Sequence, residues 1–185
     1  MMDKSPSHNE SNSKRTREKL RILAFHGYRQ NGHIFKAKIG SFRKAVSKYA
    51  QLVFLSAPHR VVSEECGSGE EDSRAWWFNA EDNSFSGKCL GGPAIGFEDT
   101  LNLIEKTVNE NGPFDGFMGF SQGACLVGLL AAMQQKSYLS YSFKFAILAS
   151  GFCSGSLVHK GFYDEEINLP SLHVYGESDS IIPKG

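Results

Sequence analysis

The chain has 185 residues, 41% hydrophobic and 22% charged, the balance of an ordinary folded domain that can bury one sizeable core. Twenty basic residues match twenty acidic ones, so no net field draws the chain to nucleic acid, and no apolar run approaches the ~20 residues of a membrane-spanning helix. Four cysteines, Cys66, Cys89, Cys125 and Cys153, form neither a CxxC pair nor a dense framework, which argues against a disulfide scaffold and for a reducing, intracellular setting.

Residues 1–19 are polar, with no large apolar side chain after Met2, and read as a disordered tail ahead of one domain at 20–185. The basic cluster Lys14, Arg15 and Arg17 is either simply solvated or a nuclear address, so the expected location is cytoplasmic with the nucleus as an addition. Leu20 to Phe25 is the first strand, closed by His26-Gly27. Over residues 33–49, Ile34, Phe35, Ile39, Phe42, Ala45, Val46 and Tyr49 recur at the spacing of one amphipathic helix. Leu52 to Leu55 is the second strand, ended by Ala57-Pro58. From His59 to Pro93 the chain reads as irregular, interrupted by Arg74-Ala75-Trp76-Trp77-Phe78, and a loop of that length is functional or mobile. A helix over 94–109 stops at Asn111-Gly112-Pro113.

The most informative stretch follows, Gly119-Phe120-Ser121-Gln122-Gly123. An apolar run, Phe114 to Phe120, precedes it, and a second, Ala124 to Met133, succeeds it. Strand, sharp turn and helix around Gly-x-Ser-x-Gly make a nucleophile elbow, where small residues at 119 and 123 let the two backbones approach. Ser121 is the candidate nucleophile; the bland alternative is a glycine-rich turn. A serine nucleophile needs a base and an orienting acid, and its tetrahedral oxyanion needs backbone N–H donors. Gln122, next after the nucleophile, supplies one donor, and Tyr28, in the loop after the first strand, the other.

Phe143 to Leu148 is the fourth strand and Ser171 to Tyr175 the fifth, with an irregular loop between them. Strands alternating with helices imply a parallel sheet in the order second, first, third, fourth, fifth. The winding then reverses between the first and third strands, and both Ser121 and His26-Gly27-Tyr28 lie at the carboxyl side of that crevice. Asp179, in the loop past the fifth strand, is the candidate acid in the chain order Ser…Asp…His, ahead of Glu177. Trp76 and Trp77 either line an acyl pocket or anchor the long loop. Together with His26 they are the candidate substrate-binding residues. No Gly-x-Gly-x-x-Gly follows the first strand, and Gly91-Gly92-Pro93 lacks the setting of a phosphate loop.

His26-Gly27-Tyr28-Arg29-Gln30-Asn31-Gly32, Ala57-Pro58, Arg74 to Phe78, Gly112 to Ala124, Ser150-Gly151-Phe152 and Gly176-x-x-Asp179-x-x-x-Pro183 together resemble the family of serine hydrolases, from about Leu20 onward. The resemblance implies an α/β-hydrolase fold with a mostly parallel, doubly wound sheet. It also implies esterase or thioesterase activity on small-molecule acyl esters with neither metal nor cofactor, and it assigns Ser121 as nucleophile and Asp179 as acid. In that family the catalytic histidine sits in a Gly-Gly-His segment after one more helix and strand, and no residue of these 185 matches it. The expectations are therefore a sheet that lacks its last strand and helix, an exposed fifth strand open to self-association, and little activity from these residues alone. Two functional readings stand: a serine hydrolase acting on acyl esters, and a catalytically inactive module of the same fold that binds an acyl ligand or a protein partner.

Overall fold

Alternate residues of the first strand, β1 (Leu20–Phe25), divide between two cores: Ile22 and Ala24 face one side, Leu23 and Phe25 the other. The structure, a computed structural model, describes residues 18–61, 72–87 and 89–177. The polar tail up to Arg17 and the candidate acid Asp179 lie outside the described residues.

After β1 come two short helices, α1 (Gly32–Lys38) and α2 (Gly40–Val46), where the apolar spacing suggested one. Asn31 caps α1 by accepting the Ile34 N–H at 2.8 Å. Ile39 ends it, turning its own N–H back to the carbonyls of Phe35 and Ala37. Gly40 follows, and glycine's deficit of about 1 kcal/mol inside a helix makes this the weak point of the run. Of the positions the periodicity singled out, Phe35 is buried while Phe42, Ala45 and Tyr49 are exposed, and α2 buries no residue, so the spacing reported neither the break nor a continuous buried face.

Next are β2 (Ala50–Leu55) and an antiparallel ribbon of β3 (His59–Arg60) with β4 (Arg74–Ala75), which orders part of the stretch read as irregular. Then follow α3 (Phe97–Asn111), β5 (Gly116–Phe120), α4 (Gln122–Gln135), β6 (Phe145–Ala149), a 3-10 turn at Leu157–Phe162, and β7 (Ser171–Val174). The five principal strands are parallel in the order β2-β1-β5-β6-β7, the order expected from the sequence.

α4 is buried along nearly its whole length from Gln122 to Met133, the pattern of a core helix that is apolar all round. It lies on β1, β5 and β6. Trp76, Trp77, Phe97 and Ile104 share the core that holds its inner face. Phe35 of α1 covers the opposite side of the sheet with Ile22, Ala24 and Met118. Helices on both faces, with the winding reversed between β1 and β5, bring the carboxyl ends of those two strands side by side. β7 differs from its neighbours: all four of its residues are exposed, and its partner among the described residues is β6 alone. No helix among the described residues is long and apolar enough to cross a membrane.

Candidate active site

β5 ends at Phe120 and α4 begins at Gln122, so Ser121 alone turns the chain. Its backbone stands at φ 51°, ψ −115°, a region that a non-glycine residue keeps only when its surroundings enforce it. They do so here. The Ser121 N–H donates to the Ala149 carbonyl at the end of β6, and the Ser121 carbonyl accepts the Cys125 N–H, both at 2.9 Å. A Cβ placed on Gly119 would stand 2.2 Å from the Gly123 carbonyl oxygen, and one on Gly123 would stand 2.3 Å from that of Phe25. Only glycine fits at either position, which is the physical content of the motif.

A serine at a helix start ordinarily spends its hydroxyl on capping the first turn. Ser121 makes no such bond. The residue is half-buried rather than enclosed, so its oxygen stands at the sheet's carboxyl edge without capping the helix. The N–H groups of the first turn of α4 have no intrahelical acceptors and lie at the positive end of the helix dipole.

The loop after β1 runs alongside. A Cβ on Gly27 would meet the Phe120 ring at 2.9 Å and the Ser121 Cβ at 3.4 Å, which sets Gly27-Tyr28 beside the elbow. Two hydrogen bonds to β4 hold this loop, Arg29 N–H to the Arg74 carbonyl at 2.9 Å and Arg74 N–H to the Gln30 carbonyl at 2.8 Å. The Arg74 guanidinium in turn donates to the Ala57 and Pro58 carbonyls at 3.1 and 3.2 Å and to Asp72 at 2.8 Å. That last bond holds the Asp72 carboxyl below its ordinary range. Among the described residues, no backbone hydrogen bond engages the N–H of Tyr28 or of Gln122.

His26, Trp76 and Trp77, carried from the sequence as substrate-binding candidates, have no exposed surface at all. In this structure they have no face to offer a ligand, because each is packed behind the site. The anchoring role also weighed for the tryptophans is the one their contacts describe. His26 Nε2 accepts the Ala57 N–H at 2.9 Å, so the proton must sit on Nδ1, which donates to the Gly27 carbonyl at 2.8 Å. Burial holds this imidazole at a pKa of about 4, against the opposing pull of the Gly27 carbonyl. With both nitrogens engaged, His26 is a structural pin for the loop that carries Tyr28.

Trp76 lies against the His26 ring with centroids 4.8 Å apart, and its indole N–H donates to the His26 carbonyl at 2.8 Å. Gln122, expected from the sequence to act through its backbone N–H, also has a structural side chain. Fully buried, that side chain accepts the Trp76 N–H at 3.1 Å and donates to the Trp77 carbonyl at 2.8 Å. Thr100 of α3 donates to the Trp76 carbonyl. A single amide therefore stitches the elbow to the tryptophan segment. The signal for it was present, a glutamine heading the apolar run from Gly123 to Met133.

Asp179 lies outside the described residues, so its relation to Ser121 is not part of this geometry. Among the described residues no histidine hydrogen-bonds to Ser121. His159 is buried, bonded through Nδ1 to Ser154 Oγ at 2.7 Å, and packed edge-on against Trp77 and Phe97. His59 Nε2 meets the Gly96 carbonyl at 2.8 Å, and His173 Nε2 meets Ser171 Oγ at 3.1 Å. Cys125 is buried in α4, and its thiol is pushed up by desolvation, so it is a packing residue.

A strained serine on a strand-to-helix turn, flanked by two obligatory glycines, is the arrangement to which known proteins can be compared. The profile described as serine hydrolase (FSH1) matches residues 15–185. The chain belongs to that family. It is 52% identical over 168 residues to an esterase of Drosophila pseudoobscura pseudoobscura, covering 90% of this chain and 58% of the relative. It is 44% identical over 180 residues to the esterase OVCA2 of Danio rerio, covering 89% and 79%, and 38% identical over 179 residues to that of Homo sapiens, covering 89% and 78%. The chain thus spans between 58% and 63% of the length of four insect esterases it matches. Among solved structures, it resembles acyl-protein thioesterase 2 of Zea mays at TM-score 0.56 and 19% identity, covering 89% and 74%. It resembles the esterase PE8 at 0.57 and 21%, covering 89% and 72%. Those likenesses identify the fold as that of an α/β-hydrolase.

Proposed function

We propose that the protein is a carboxylesterase or thioesterase in which the Ser121 oxygen attacks the carbonyl of a small-molecule acyl ester. The observation that carries this reading is the serine itself: a strained, half-exposed residue at a helix start whose hydroxyl does not cap the helix. In the attack, a bond forms between Ser121 Oγ and the carbonyl carbon, the hydroxyl proton passes to a general base, and the alcohol or thiol leaves with a proton. The N–H groups of Gln122 and Tyr28 are the donors for the oxyanion, and losing one such donor costs ~3 kcal/mol of transition-state stabilisation. His26, Trp76 and the Gln122 side chain set the spacing of those two donors. Asp179 is the acid that orients the base.

The second reading, an inactive module binding an acyl ligand or a protein partner, is favoured by one observation: no histidine among the described residues is bonded to Ser121. Hydrolysis of short p-nitrophenyl esters by the native protein separates the two. The hydrolase reading expects turnover that falls at least a thousandfold in Ser121→Ala. Absent turnover gives the inactive module the lead, and turnover that survives Ser121→Ala removes Ser121 as the nucleophile.

A further inference from the structure

The chain is neutral overall, yet its charges are not mixed. From Lys19 to Ser63 the sequence holds nine lysines and arginines and no aspartate or glutamate, so the balancing acids all lie outside that stretch. The fold turns this segregation into two faces. α1 and α2, on the side of the sheet that holds Ile22, Ala24 and Met118, carry Lys36, Lys38, Arg43 and Lys44 and no acid. α3, which packs into the opposite core through Phe97 and Ile104, carries Glu98, Asp99, Glu105 and Glu110 against one lysine, Lys106. A molecule without net charge thus has a positive side and a negative side, and the field of a charged surface orients it.

The positive side is one continuous surface. The Arg43 guanidinium reaches back from α2 to the Lys36 carbonyl of α1 at 3.4 Å. Past α2 the Tyr49 carbonyl accepts the Leu20 N–H at 2.9 Å, and Leu20, Lys48 and Tyr49 line one groove there, with Glu18 as the acid at its margin. Lys36, Lys38, Lys44 and Lys48 are exposed, and none of them joins an ion pair among the described residues. Beside these cations stand apolar groups that the core has not taken: Phe42 is 42% exposed, Leu20 43% and Tyr49 72%. Because β1 and β2 are parallel, the chain between them travels from the carboxyl to the amino edge of the sheet, which carries this surface away from Ser121.

We propose that this face docks the protein on an anionic lipid bilayer, with the four lysines at the charged headgroups and Phe42, Tyr49 and Leu20 at the headgroup–acyl boundary. Composition favours lipid over nucleic acid. The exposed cations are lysines, compact charges without the planar fork that reads phosphate and bases in pairs, and exposed apolar side chains stand among them. Arg43, the one arginine on the two helices, spends its guanidinium on a backbone carbonyl. Each lysine at an anionic membrane tightens binding about fivefold, and salt screens the attraction beyond a Debye length of ~10 Å at about 0.1 M.

The test incubates the native protein with vesicles of phosphatidylcholine alone or with roughly one-third phosphatidylserine, and reads the bound fraction by co-sedimentation at about 0.1 and about 0.5 M salt. Binding to the anionic vesicles is expected to be tighter by roughly fiftyfold or more at the lower salt, with most of that preference lost at the higher. The variant Lys36→Gln/Lys38→Gln/Lys44→Gln/Lys48→Gln should lose the preference at an unchanged urea midpoint, and the matching four Lys→Arg changes should keep it. Adding Glu105→Gln and Glu110→Gln to the glutamine variant returns positive charge on the wrong face and should restore no binding. Phe42→Ser should weaken binding severalfold at either salt. Equal binding to both vesicles, a glutamine variant that binds like the parent, or binding recovered by the α3 changes would overturn the docking face. Tighter binding to a short DNA duplex than to the anionic vesicles at the same salt, or a Phe42→Ser variant indistinguishable from the parent, would overturn lipid as its partner.

Discussion

The two ends of the central sheet are built on opposite terms. At the β1–β5 junction the Ser121 turn is locked by two glycines with no room for a Cβ, and a buried amide, Gln122, ties it to the tryptophan segment. A histidine and an arginine fasten the neighbouring loop. At the β6–β7 end, the last described strand has all four residues exposed, and Leu172, Val174 and Tyr175 stand about half open to solvent. The Ser121 end of the proposed site is thus determined by contacts inside the described residues. The segment proposed to carry the acid follows a strand that the described residues leave uncovered. Strain can be stored at a functional turn only where the surroundings over-determine it, and that condition is met at one end of this sheet and not at the other.

The sharpest way to break the contrast is at Gly123. Gly123→Ala pushes a methyl into the Phe25 carbonyl and should cost more than ~3 kcal/mol, near the upper end of overpacking effects, as a fall in the urea midpoint. A midpoint within error of the parent would mean that the turn is not locked as described.

Protonation probes the same half more gently. His26 is held near pKa 4 in the fold and returns to about 6.5 when unfolded. The unfolded chain therefore binds more protons between those values, so stability falls as pH drops from 6.5 towards 4 and is indifferent to His26 above that window. The loss attributable to His26 is about 3 kcal/mol at pH 4. Urea midpoints of the parent and of His26→Asn, compared from pH 7 to pH 4, should show the shallower dependence in the variant; parallel curves would mean that His26 is not buried as a neutral base.

The smallest stability effect belongs to the other end. Val174→Lys on the exposed strand should leave stability within ~0.5 kcal/mol while lowering any self-association through the β7 edge, read by sedimentation at micromolar concentration. A midpoint shift of several kcal/mol would show that this strand is covered after all.

Local chemistry made the elbow legible before any coordinates: Gly119, Ser121 and Gly123 needed only their neighbours to be read. The strand order followed from the alternation of apolar runs with helices. What the sequence did not disclose depends on contacts across long separations. His26, Trp76 and Trp77 had the residue types of a binding surface, and only the packing of α4 and the β4 segment over them shows that they are enclosed. The Gln122 amide reaches residues 45 and 46 positions away, and Phe85 meets Tyr28 across a loop that offers no periodicity. Asp179 was read from its place after the fifth strand, and its position relative to Ser121 lies outside the described residues.

The most direct measurement is to treat the native protein with a fluorophosphonate, digest it, and locate the adduct by mass spectrometry. A single phosphonylated residue, Ser121, is expected, with labelling lost in Ser121→Ala. An adduct elsewhere, or an unmodified Ser121 under conditions that label a serine esterase used as control, would contradict the assignment of Ser121 as nucleophile.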